Sequence, residues 1–140
     1  MRSSARLLAA SLSASLVVLG ISLTGDTPAV QVEDSFVATT SDGWTIGNSL
    51  IHYSIGKTNS SLGMRAIEQP ESGHLWQRAT GPDAFVRVNG QVVNIGSPET
   101  SFLRADTREW SGGVRLDMAY RFGALDITRS YVCYPASSII

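Results

Sequence analysis

The stretch VRLDMAYRF constrains the fold more than any other. Val114, Leu116, Met118, Tyr120 and Phe122 alternate with Arg115, Asp117, Ala119 and Arg121. Side chains that repeat every two residues lie on opposite faces of an extended chain, so this pattern predicts a half-buried β-strand and excludes an amphipathic helix. Gly123-Ala124 permits a reversal. LDITRSYVCY then continues as a partner strand, with Leu125, Ile127, Tyr131 and Cys133 on one side and Arg129 interrupting that face. Pro135 ends it or places it at an edge.

The same period recurs upstream. In AFVRVNGQVVNIG, the pair Asn89-Gly90 separates two apolar runs, and Asn-Gly is the pair that accepts the left-handed angles of a tight hairpin. WTIGNSLIHYSIG predicts two short strands around Gly47-Asn48, and Leu62 to Glu68 predicts another. SFLRADTREW reads as a strand up to Trp110, with Ser111-Gly112-Gly113 turning into the next. No stretch holds a helical pattern for long. The expectation is an all-β domain of seven to nine short strands, folded as an antiparallel two-sheet β-sandwich.

The N-terminus follows a different rule. Arg2 and Arg6 precede an uncharged apolar run from Leu7 to Leu23, and small residues follow at Thr27-Pro28-Ala29. This is the three-part pattern of a helical secretory signal peptide, residues 1–29, with cleavage after Ala29. A retained membrane anchor is the rival reading, since the run is barely long enough to span a bilayer. Residues 30–41 read as a linker leading into a short strand, Ser35 to Ala38, and residues 42–140 as the sandwich. The cleaved protein is expected outside the cytoplasm, secreted or periplasmic and free of the membrane. The chain closes on Ile139-Ile140, which reads as the opening of a further strand, so the sandwich is expected to be incomplete.

A net charge of −1 argues against nucleic acid, which calls for a basic stripe. The lone Cys133 excludes an internal disulfide and reads as an apolar filler. His52 and His74 lie far apart and lack clustered carboxylates or thiols, so neither a metal site nor a cofactor is expected. No nucleophile elbow or phosphate loop is present. Asn59-Ser60-Ser61 is a glycosylation sequon. Asp117 and Asp126, on the presumed outer face beside arginines, read as charge pairs across strands and not as the facing acids of sugar hydrolysis.

The tryptophans are more informative. Each can stack on a sugar or pack a core. Trp44 leads an alternating strand and reads as core. Trp110 falls at a strand end. Trp76 lies in SGHLWQRATG, a loop-like stretch beside His74 and Arg78, and is the candidate carbohydrate contact. Asp83, after Gly81-Pro82, is placed at the same loop edge.

Taken in order, WTIGNSLIHYSI, DAFVRVNG and ITRSYVCYPASSII resemble the N-terminal β-sandwich of melibiase-type α-galactosidases, a large supersandwich. The likeness covers Trp44 to Ile140 and rests on Trp44 with Asn48, and on Arg129, Tyr131, Tyr134 and Pro135. It implies a non-catalytic domain of a secreted glycoside hydrolase, packed beside a (β/α) barrel that carries the two catalytic aspartates. None of that barrel lies in this sequence, so the resemblance assigns no catalytic residue here. It implies a galactoside-type carbohydrate as ligand and the barrel as partner. A free-standing carbohydrate-binding or adhesive sandwich, and a structural envelope domain without a sugar ligand, are the alternatives.

Overall fold

The computed structural model describes residues 28–140, and the predicted signal peptide lies outside them except for Pro28 and Ala29. Eleven strands and no helix form the described chain. β1 (Pro28–Val32), β2 (Ser35–Thr40), β3 (Gly43–Gly47), β4 (His52–Lys57), β5 (Leu62–Gln69) and β6 (His74–Gly81) pair in chain order as one six-stranded antiparallel sheet. β7 (Ala84–Val88) and β8 (Gln91–Ile95) form a separate hairpin. β9 (Ser101–Trp110), β10 (Gly113–Phe122) and β11 (Leu125–Cys133) form a three-stranded sheet with β10 in the centre. The fold is an all-β, sandwich-like arrangement of antiparallel strands.

The alternation in β10 produces the core. Val114, Leu116 and Met118 are fully buried and Tyr120 is 1% exposed. They meet Val37, Ile46 and Ile55 of the large sheet, with Ile95 from the hairpin, in one apolar cluster. Each such side chain contributes on the order of 1.5–3 kcal/mol on leaving water. The hairpin turn is the one its sequence predicts: Asn89 and Gly90 have φ of 50° and 83°, the type I′ signature.

Three expectations are corrected. The short strand expected at Ser35 to Ala38 is present as β2, with Phe36, Val37 and Ala38 buried, but the residues before it, read as linker, form β1 and pair with β2. The stretch around Trp76, read as loop, is β6, paired with β5 through Ile67↔Trp76 and Glu68↔Leu75. Polar residues mask its strand character in the sequence, since all its side chains from His74 to Gln77 face water. Ile139 and Ile140 form no strand here; Ile140 packs against the core and Ile139 is exposed.

One buried amide fastens the two ends of the domain. Asn48, in the β3–β4 turn, is fully buried. Its Nδ2 donates to the carbonyls of Tyr134 at 2.8 Å and Ser137 at 2.6 Å, and its Oδ1 accepts from the N–H of Leu50 and Ile51 at 2.9 and 3.1 Å. Both donors and both lone pairs are thereby used. Asp34, in the β1–β2 turn, joins the same knot: its carboxylate accepts from Ser49 and from the N–H of Ala136. Asn48→Ala should lower unfolding stability by about 2–4 kcal/mol, because two carbonyls and two N–H groups lose their partner. Urea unfolding of the two proteins measures it.

Candidate functional site

Asp83 follows Pro82 in the connection between β6 and β7, and it does not lie at a solvent-facing sugar site. Its side chain is 8% exposed. The Arg129 guanidinium and the Tyr53 hydroxyl both donate to its carboxylate. Arg129 lies on β11 and faces inward, opposite Met118. The guanidinium carbon sits 4.6 Å from the Tyr131 ring centroid, and Tyr131 stacks at a tilt on Tyr53 at 5.5 Å. Burial pushes the Tyr131 phenol far above its ordinary range and raises Tyr120 to about 12. The group therefore joins β4, the β6–β7 connection and β11 through a partly buried ion pair. Its carboxylate is occupied by the Arg129 guanidinium and the Tyr53 hydroxyl. The inward Arg129 was the sequence signal for it, since a charge on a core-facing position requires a buried counter-charge.

Trp76 is brought to the surface as expected, 53% exposed, with the His74 ring centroid 4.0 Å away. It shares a row with Tyr53 and Ile67 on the face that elsewhere packs into the core. Together with Leu50, Ile67 and Ser138 it borders a shallow groove of about 240 Å³. Asp83 does not line this groove, so the two sequence-predicted contacts are not one site.

Trp110 is 42% exposed, but guanidinium groups attend its ring: Arg115 lies 4.6 Å and Arg108 5.3 Å from the centroid. Trp44 is half-buried and packs against Phe102 at 5.7 Å. His52 Nδ1 lies 3.2 Å from Glu68 Oε2. No three His, Cys, Asp or Glu side chains among the described residues form a cluster able to hold a metal ion.

The aspartates on the outer faces are similarly engaged. Asp117 meets Arg115 at 2.7 Å, Arg108 at 2.7 Å and the Ser130 hydroxyl. Burial disfavours its ionised form, but the Ser130 hydroxyl and the two guanidinium groups outweigh that and hold its carboxyl below the usual range. Asp126 pairs with Arg121 across β10 and β11, as the register places them. Asp42 pairs with Arg65, and Asp106 with Arg104.

Comparison with known protein families, with curated proteins and with solved structures gave no match for this chain.

Removing the Asp83 carboxylate with Asp83→Ala strands Arg129 and should cost about 3–5 kcal/mol, whereas the double change Asp83→Ala with Arg129→Met should cost less than the sum of the single changes. A double-mutant cycle in urea measures this. The lowered Asp117 pKa adds stability that is present above about pH 4, the unfolded carboxyl value, and lost as pH falls through the lower folded value. Asp117→Asn should therefore flatten the fall in thermal midpoint below that pH. Burial pushes the Cys133 thiol up to about 11. A thiol reagent at pH 8 should label it only once the protein unfolds.

Proposed function

We propose that this chain is a non-catalytic β-sandwich domain of an exported glycoside hydrolase of the α-galactosidase type, supporting hydrolysis carried out by a separate barrel domain. The observation that carries this reading is the state of the acids. Glycoside hydrolysis uses one carboxyl group kept protonated and another free to attack or to activate water. Asp42, Asp83, Asp106, Asp117 and Asp126 each sit against a guanidinium group instead. Among these, Asp42, Asp117 and Asp126 are displaced toward the anion, as is Asp34 through the Ser49 hydroxyl.

Two of the segments on which the resemblance rests meet in this fold: the Asn48 amide donates to the carbonyl of Tyr134, 86 residues away.

A free-standing sugar-binding module is the second reading, favoured by the exposed Trp76 and its groove. The purified protein should release no aryl alcohol from aryl galactosides, and sustained turnover would contradict the non-catalytic reading. Saturable quenching of tryptophan fluorescence by galactosides, lost in Trp76→Ala, would favour the binding module over the supporting domain.

A further inference from the structure

Two turns meet at one end of the sandwich and leave a pocket of about 320 Å³ between them. The first, 58–61, follows β4. The Thr58 hydroxyl closes it by accepting from the N–H of Ser60 and Ser61 and donating to the Ser61 carbonyl. The second, 96–100, follows β8. There the Thr100 hydroxyl accepts from the Gly96 N–H at 2.9 Å and donates to the Ser97 carbonyl at 3.1 Å.

The turns are pinned to one another where the Leu62 N–H donates to the Gly96 carbonyl at 2.8 Å. Gly96 has φ of 82°, and a Cβ there would fall 1.8 Å from the Leu62 carbonyl oxygen. Only glycine permits that approach. The pocket is thus formed by the fold's own hydrogen bonds and is in place before any ligand arrives.

Its lining divides into groups already engaged and groups left open. Thr58 and Thr100 hold the turns. The side chains of Asn59, Ser60 and Ser61 make no hydrogen bond to another described residue, and Ser97 Oγ accepts from the Glu99 N–H while retaining its own hydrogen to donate. Lys57 carries the only charge in the lining. Its ammonium lies 5.7 Å from the centroid of Phe102, and it forms no salt bridge with another described residue. No carboxylate borders the space; Glu99 belongs to the second turn but does not line the pocket. Phe102, Leu62 and Pro98 supply apolar wall, and the buried Tyr120 stands behind them.

We propose that this pocket binds a saccharide unit carrying a carboxylate or a sulfate. The anion would meet Lys57, the sugar hydroxyls would exchange hydrogen bonds with Asn59, Ser60, Ser61 and Ser97, and the C–H face would rest against Phe102. A neutral sugar leaves the ammonium without a counter-charge, and a bare anion leaves the ring and the open hydroxyls unused. The volume lies at the small end of ligand sites, the size of one or two sugar rings. This inference stands on the pocket alone and does not depend on the hydrolase reading.

The test is an amide-shift titration of the purified protein, made in a host that does not glycosylate so that Asn59 is bare. The probes are digalacturonate, galactose 6-sulfate, neutral galactobiose, sodium acetate and sodium sulfate. Shifts should appear at Lys57, Ser60, Ser61 and Ser97 with the two acidic sugars. Affinity should fall about tenfold between ~20 mM and ~500 mM sodium chloride. Lys57→Gln should weaken binding about tenfold, Ser60→Ala with Ser61→Ala by a smaller factor, and Trp76→Ala not at all. Whichever acidic sugar binds more tightly identifies the anion. The proposal fails if galactobiose binds as tightly as the acidic sugars, if acetate or sulfate alone matches them as an adventitious ion only, or if no probe moves the pocket's amides.

Discussion

The Asn48 amide is the contact on which the described architecture depends. The backbones of strands β9 to β11 pair only with one another, and hydrophobic burial against the six-stranded sheet is non-directional. Asn48 adds direction: it binds the backbone after β11 from the turn between β3 and β4. Asp34 adds a third strand pair to the same point through Ser49 and Ala136. The result fixes how the chain's last described segment lies across the end of the large sheet.

A second theme is the pairing of arginine with aspartate. On the outer face of the three-stranded sheet, Arg104, Arg108, Arg115 and Arg121 meet Asp106, Asp117 and Asp126, and guanidinium groups attend Trp110. Inside, Arg129 meets Asp83. Exposed pairs of this kind add little stability singly. At Asp117 and Asp126 the guanidinium groups also help hold the carboxyl below its ordinary range. Lys57 departs from this pattern: it faces hydroxyls and an aromatic ring.

Much of this was legible in the sequence where period and turn chemistry agree. The alternation from Val114 to Phe122 gave β10 and its buried face, and Asn89-Gly90 gave the β7–β8 hairpin. β2 was anticipated as the short strand Ser35 to Ala38, and β1 escaped because a short strand next to an apolar leader resembles a linker. β6 escaped because an edge strand exposed at His74, Leu75, Trp76 and Gln77 lacks the apolar alternation that marks a half-buried one. Sites were harder to see. The exposure of Trp76 was anticipated, but the Asp83 carboxylate turns inward to an arginine 46 residues away, a partnership that only the assembled sheets create. The Lys57 pocket is likewise built from two turns with no local signature beyond the sequon at Asn59.

The claim that Asn48 and Asp34 bind three parts of the chain into one cooperative unit is tested most directly by native-state hydrogen exchange. The amides of Ile51 and Ala136, which donate to those two side chains, should open with the same free energy as the central amides of β10. Exchange at Ile51 and Ala136 that is orders of magnitude faster, while β10 stays protected, would show that the end of the sandwich opens on its own and would contradict the account.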